Sequence, residues 1–299
     1  RQMLKAPEID IVYIASSNDL HRQHAMDAIK AQKAVLIEKP FAMNYEEGKQ
    51  IADLAKERKV FCMEALWTRF IPAIVEAKKI IESGQLGQIY GFEASFGHRS
   101  KAPNSAAIFD PQRGGGALLD LGVYLLSLGV YFFKSPTSAT GTLAFGPTCV
   151  EEETTVSCLF HDTIIGAFQN SLRCNLRGHG LIRAENADLE IPAPIYAPTR
   201  LTLHTHSTEP NFVPPTWSQR IPPIKRAFDI YRHKLHPSIV TKSKSVRYAM
   251  EGSAYTYQLR AVENAIQRGW TEEPQMPLSE SLEVLRIIDN LKANNSSAQ

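Results

Sequence analysis

Lys39, Asp120 and Tyr124 carry an ammonium, a carboxylate and a phenol, groups that can handle a proton at a hydroxyl or carbonyl oxygen. Asp120, Tyr124, Ser127 and Tyr131 recur at i, i+4, i+7 and i+11, one stripe of an α-helix. The remainder of 117–128 is apolar, so this helix is expected to be buried with a single polar seam, and a buried seam needs partners. A seam facing solvent is the plainer alternative. Gly114-Gly115-Gly116 just before it favour a cleft, because glycines let a backbone approach a ligand or another strand closely. Hydride transfer between a nicotinamide and a CH–OH carbon would need the two carbons held together, a proton donor, and stabilised alkoxide charge. A phenol, ordinarily titrating near ~10, is a better base beside an ammonium. Lys39 is that cation if its strand edge faces the seam. Asp120, one turn from Tyr124, could orient Lys39 or hydrogen-bond a substrate hydroxyl.

The elements that must position these groups alternate between strand and helix over the first seventy residues. Ile9–Ala15, Ala34–Ile37 and Val60–Met63 read as short apolar strands, the first buried on both faces. Between them, Leu20, His24, Ala28 and Ala31 recur at helical spacing after the potential caps Ser16–Asp19. Asn44 is an N-cap with Glu47 as its capping-box partner. Such alternation predicts right-handed crossovers and a parallel sheet, with ligands at the carboxyl ends of its strands. Those ends are Ser16-Ser17-Asn18, Glu38-Lys39-Pro40 and Glu64-Ala65-Leu66-Trp67. A glycine-rich dinucleotide fingerprint cannot be built, because Gly48 is the only glycine before Gly84 and it sits in a helix pattern. Two further βα units are therefore expected upstream of Arg1.

A helix over Ile71–Gly84 leads to a change of rhythm. Segments 88–96, 139–145, 153–160, 163–171 and 180–184 read as strands with few helices between them, which predicts a large, mostly antiparallel sheet. The expected fold class is α/β plus α+β: residues 1–70 the C-terminal part of a Rossmann-type parallel sheet, and 71–299 a second domain with helices on one face of its sheet. Residues 200–247 hold nine basic and two acidic side chains and six prolines. They read as a loop-like excursion with one short helix at Lys225–Lys234. Its +7 leaves −5 on the remainder, so a solvated loop competes with contact to an acidic neighbour or an anionic substrate. Helices are expected over Val246–Arg268 and Ser279–Ala293, with a frayed tail at 294–297.

The 299 residues suffice for two domains. With 43% apolar and 21% charged residues the composition is that of a globular protein, and a net charge of +2 argues against a dedicated nucleic-acid binder. No uninterrupted apolar run approaches eighteen residues, so no membrane span is expected. The four cysteines (Cys62, Cys149, Cys158, Cys174) show no C-x-x-C spacing, which excludes a disulfide scaffold and a cysteine zinc site and fits a reducing cytosol.

Glu38-Lys39-Pro40, followed by Gly-Gly-Gly-x-x-x-Asp-x-Gly-x-Tyr at Gly114–Tyr124, resembles the Gfo/Idh/MocA oxidoreductase family. The likeness is greatest to its branch containing glucose–fructose oxidoreductase and dihydrodiol dehydrogenase, which carries Tyr where many members carry His. Ser16-Ser17-Asn18-x-x-His21 and Glu64-Ala65-Leu66-Trp67-x-Arg69-Phe70 match two more of its segments. The resemblance implies NAD or NADP as cofactor and a sugar, polyol or cyclic diol as substrate. It implies Lys39, Tyr124 and Asp120 as the catalytic set, and Ser16, Ser17, Asn18, His21, Glu38, Lys39, Glu64, Trp67 and Arg69 around the cofactor. Arg99 and Phe109, with Asp120 and Tyr124, are candidates for the substrate pocket. A cis Lys39–Pro40 peptide, a homodimer or homotetramer built on the open sheet face, a cytoplasmic location and no metal follow from the same reading. Competing alternatives for the residues are structural: Asn18 as a helix cap, His21 on a helix surface, Trp67 in interdomain packing, and Arg69 in a surface pair with Glu64. A non-catalytic sensing relative is the alternative function, although both Lys39 and Tyr124 are retained.

Overall fold

The computed structural model describes residues 3–206 and 242–296. Strands β1 (Ile11–Ile14), β2 (Ala34–Glu38) and β3 (Cys62–Ala65) pair in parallel in that order, with helices α1 (His21–Lys30) and α2 (Tyr45–Arg58) as the crossovers. The apolar runs of β2 and β3 are buried as expected. β1 is not: Tyr13 is half exposed, because among the described residues β1 is the edge of its sheet.

α2 begins where its sequence says it should. Asn44 Oδ1 accepts the Glu47 N–H at 2.9 Å, and Glu47 Oε2 accepts the Met43 N–H at 3.4 Å. Gly48 faces α6, introduced below, where an added Cβ would lie 2.8 Å from Leu285. It is a packing glycine, not part of a phosphate loop. α1 departs from expectation. Its buried stripe is His21, Ala25, Ala28 and Ile29, while Leu20 is exposed. A 3-10 turn at Asn18–Leu20 precedes the helix and shifts its register, and no side chain caps it.

After α3 (Pro72–Glu82) comes an eight-stranded sheet made of β4 (Ile89–Gly97), β5 (Ser138–Phe145), β6 (Glu151–Phe160), β7 (Ile164–Ser171), β8 (Gly180–Ala184), β9 (Ala187–Ile191), β10 (Arg200–Thr205) and β11 (Lys242–Arg247). The order is β11-β10-β9-β8-β4-β7-β6-β5, antiparallel throughout except between β4 and β7. A π turn at Leu118–Gly122 runs into α4 (Val123–Phe133), every residue of which is buried. The stretch Pro111–Phe133 is long and apolar enough to cross a membrane by composition, but 94% of its most apolar eighteen-residue window lies inside the protein. Helices α5 (Tyr255–Gln267) and α6 (Leu278–Ser296) complete the chain. α6 packs on α2 and β3 of the first sheet and on α4 and β5 of the second, so one apolar core is continuous between the two.

Three expectations for the C-terminal third are corrected. The ends of the basic excursion are strands: β10 and β11 pair over six positions, from Arg200↔Arg247 to Thr205↔Lys242. The proposed helix at Lys225–Lys234 lies outside the described residues. The helix expected from Val246 starts instead at Tyr255, since Lys242–Arg247 is held extended by β10 and Gly252 (φ +68) interrupts the chain between. The tail does not fray at Asn294, for α6 continues to Ser296, with Asn295 Nδ2 donating to Gly141 O at 3.1 Å.

Two buried groups lock the ends of the first three strands. His21 places Nδ1 2.9 Å from Pro40 O and Nε2 3.1 Å from Ser16 O, joining the loops after β1 and β2. Arg69, fully buried, donates to Ser127 Oγ (2.8 Å), Ser127 O (3.0 Å), Gln275 O (3.2 Å) and Glu280 Oε2 (2.5 Å). It also lies 5.2 Å from the Tyr131 ring centre. Arg69 therefore fastens the segment after β3 to α4 and to the start of α6.

Burial holds the His21 imidazole below its ordinary pKa, against the pull of the two carbonyls. The unfolded chain takes up a proton near ~6.5 that the folded ring refuses, so stability should fall as pH drops below that value. Thermal melts between pH 5 and pH 7 should show a shallower slope for His21→Gln than for the wild type. Arg69→Met leaves Glu280 with Lys134 alone, at 3.1 Å, and should cost about 3–5 kcal/mol in urea unfolding, the usual penalty for breaking a buried ion pair.

Candidate active site

β2 delivers Lys39 and the π turn delivers Asp120 to the same place. Lys39 Nζ donates to Asp120 Oδ1 at 2.7 Å and to Asp120 O at 2.9 Å. The side chains are 19% and 30% exposed, so the pair borders solvent rather than being sealed. The Lys39–Pro40 peptide is cis. Lys39 Nζ also stands 5.4 Å from the centre of the Tyr124 ring, one helical turn beyond Asp120. An ammonium 81 residues away in sequence thus meets a carboxylate and, one helical turn beyond it, a phenol.

Tyr124 is 8% exposed and set among aromatic rings. Phe96 meets it edge-on at 5.6 Å, Tyr196 lies at 6.3 Å, and Tyr196 packs on Phe96 at 5.0 Å. Trp67 meets Tyr196 edge-on and lies tilted at 5.4 Å against Tyr255, the first residue of α5. Burial, followed by the negative charges of Asp120 and Glu38, raises the phenol well above its ordinary pKa, and Trp67 opposes this upward shift as the smallest of the influences on it. This corrects the expectation that Lys39 would lower it. The ammonium bonds to the Asp120 carboxylate and faces the ring rather than the hydroxyl.

A cavity of about 190 Å³ opens beside the pair, lined by Ser17, Asn18, Ile108, Arg113, Gly114, Gly115 and Asp120 among others. Asn18 is no helix cap: its Nδ2 donates to Gly114 O at 3.3 Å, linking the loop after β1 to the turn before Asp120. Gly114 has φ +72, and a Cβ there would lie 3.2 Å from Asn18 and 2.6 Å from Met43 Sδ, so this approach requires glycine. A second groove, of about 460 Å³ along β1, is lined by Tyr13, Ser16 and His24, and His24 Nδ1 lies 3.0 Å from Ser16 Oγ. Glu38 accepts hydrogen bonds from the Tyr13 hydroxyl and from the Lys39 N–H at 3.2 Å.

The other expected residues divide. Ser16, Ser17, Asn18 and Glu38 border the two cavities or the Lys39–Asp120 pair. His21 and Trp67 lie directly behind them. Glu64 and Arg69 are buried, which corrects the surface-pair alternative. Glu64 is 2% exposed and accepts the Phe41 N–H at 3.0 Å, and Arg69 is consumed by its internal partners. Phe109 is buried in a small cluster with Ala117, Leu121, Val150 and Leu172, and Arg99 is an exposed residue beyond β4, so neither joins Tyr124. The sequence reading missed Phe96, Tyr196, Tyr255 and Tyr13. Phe96 ends an alternating strand and Tyr255 falls in a helical pattern, signals that indicate an element but not a site.

A model described as the oxidoreductase family with an NAD-binding Rossmann fold matches residues 1–66, and one for the GFO/IDH/MocA C-terminal domain matches 74–186. Trans-1,2-dihydrobenzene-1,2-diol dehydrogenase of Bos taurus is 25% identical over 293 residues, spanning 97% of this chain and 79% of that protein. Its Danio rerio counterpart is 30% identical over 210 residues, 70% of this chain and 62% of that protein. Among solved structures, levoglucosan dehydrogenase in complex with NADH and levoglucosan superposes with a TM-score of 0.79 at 20% identity, covering 100% of this chain and 81% of that one. The aldose–aldose oxidoreductase of Caulobacter crescentus, complexed with glycerol, gives 0.79 at 19%, covering 100% and 80%. The two family models match consecutive stretches in the order in which the two sheets occur, and the chain belongs to the Gfo/Idh/MocA family of oxidoreductases, whose first domain is an NAD-binding Rossmann fold.

Proposed function

We propose that the protein transfers a hydride between NAD(P) and a secondary hydroxyl or carbonyl of a sugar, polyol or cyclic diol, with Tyr124 as general acid–base and Lys39 beside it. The observation that carries this reading is the meeting of Lys39 with Asp120 at 2.7 Å, 5.4 Å below the Tyr124 ring. A bound nicotinamide supplies the hydride chemistry. Its fit is supported by a cavity walled with Ser17, Asn18 and the side-chain-free backbone of Gly114 and Gly115, next to that pair.

The remaining tasks fall to the chain. In the reducing direction the substrate oxygen gains negative charge as its carbon accepts hydride. The Tyr124 proton moves to that oxygen and yields the alcohol. A phenol held above its usual range keeps this proton at neutral and mildly alkaline pH. An ammonium has three N–H bonds. Two are directed at Asp120, so the third can stabilise the alkoxide. Oxidation reverses these movements. The retained Lys39 and Tyr124 favour an enzyme over a non-catalytic sensor.

The free cysteines, Cys62 and Cys158 buried and Cys149 and Cys174 exposed, support a reducing, cytoplasmic location. For assembly we propose a homodimer or homotetramer built on the open sheet face. There Ile165 stands 51% exposed, and a groove of about 560 Å³ runs past Glu93, Thr155, Gln169 and His179.

With a polyol and diol panel, Lys39→Ala and Tyr124→Phe should each reduce kcat by about 10²- to 10⁴-fold while cofactor binding persists. Unchanged hydride transfer in either variant would overturn the assignment. Ile165→Arg should lower the oligomeric state, read by light scattering at micromolar concentration. A wild-type protein that is monomeric there would refute the assembly.

A further inference from the structure

The π turn that presents Asp120 rests on a buried carboxylate that the proposed chemistry does not use. Glu151, at the start of β6, is 2% exposed. Its Oε1 accepts the Leu118 N–H at 3.2 Å and lies 3.2 Å from Lys292 Nζ on α6. The first N–H groups of a helix lack internal partners, and an anion there is favoured by the helix dipole. Gly116 forms the cradle. A Cβ on it would lie 2.4 Å from Oε1, 2.6 Å from Cδ and 2.7 Å from Oε2, so the carboxylate occupies the space of the missing side chain. Gly116 also has φ +115, a conformation other residues rarely adopt.

The far end of the turn is held by the same sheet. Asn170, 1% exposed, puts Oδ1 3.3 Å from where a Gly122 Cβ would sit. It accepts from Thr154 Oγ1 and donates to Phe96 O, both at 3.4 Å. Strand β6 therefore holds Leu118 while β7 packs beside Gly122, and between them Asp120 presents both its carbonyl and its carboxylate to Lys39. Such π turns are frequent at functional sites.

We infer that Glu151 is a positioning residue for the redox site: by capping the Leu118 N–H in the Gly116 cradle it sets the register of the turn that presents Asp120 to Lys39. The inference rests on the proposed roles of Lys39, Asp120 and Tyr124. Two conservative variants separate reach from charge. Glu151→Gln keeps an oxygen within reach of Leu118 but loses the charge facing Lys292. Glu151→Asp keeps the charge but is one methylene short of the N–H.

Steady-state kinetics on the intact protein, normalised to cofactor-binding sites by nucleotide fluorescence, should show Glu151→Gln retaining most of the turnover. Glu151→Asp should lose about ten- to a hundredfold in kcat with the cofactor KM within about twofold, as expected for a displaced reacting group. A purely structural role would lower the melting temperature and the fraction of binding-competent protein, leaving kcat per site unchanged. Wild-type kcat per site in Glu151→Asp, or an equal loss in Glu151→Gln, would overturn the inference. Lys39→Ala measured in parallel separates the two readings. If it is inactive while Glu151→Asp is not, only the role of Glu151 falls; if it is fully active, the site assignment falls with it.

Discussion

The contact between Lys39 and Asp120 joins the residue just after a strand of one sheet to a turn that rests on the other sheet. A partly exposed ion pair contributes little to stability, on the order of 1 kcal/mol or less. It cannot be what brings the two halves together. Its geometry is imposed from outside: by His21 joining the Ser16 and Pro40 loops, by Asn18 bonded to Gly114, and by Glu151 under Leu118. The position of the pair therefore follows from the surrounding hydrogen bonds and not from its own energy.

Lys39 and Arg69 follow neighbouring strands and show how environment divides cations by role. Arg69 directs its N–H donors at Ser127, Gln275 and Glu280, with no exposed surface. It can do nothing but hold. Lys39 keeps some exposure and one N–H beyond the two aimed at Asp120. Sequence reading grouped the two together because both occur in segments typical of the family. What separates them is the approach of α6, whose Glu280 lies 211 residues beyond Arg69.

That division describes what the sequence could carry. Elements defined by local chemistry were legible: the apolar β2, the Asn44–Glu47 cap of α2, the alternating strands β6 and β7, and the single polar seam of the π turn and α4. The pairing of β10 with β11 was not, because strands joined through a long basic stretch have a register that no local pattern records. Lys39 and Tyr124 could be matched because both lie in compact motifs. The aromatic surround could not. Phe96, Tyr196 and Tyr255 come from a strand, a turn and a helix, and only the folded chain sets the first two against Tyr124 and the third against Trp67. The direction of the Tyr124 shift was misjudged for a related reason. A nearby ammonium was legible, but the carboxylate it binds and the burial of the phenol are tertiary facts.

The apolar stretch that ends in α4 makes the remaining step clear. An apolar helix can rotate about its axis at modest cost, since one greasy face packs much like another. Here rotation is forbidden by the seam. Asp120 meets Lys39, Tyr124 lies beside the same Lys39 at 5.4 Å, Ser127 receives Arg69, and Tyr131 lies under Arg69 and Lys78 at 5.2 and 5.4 Å. These three partners come from the segments after β2 and β3 and from α3. A turn of one residue, about 100°, would leave several buried polar groups without partners at once. The seam is therefore the register mark of the core helix, and its carboxylate borders a cavity.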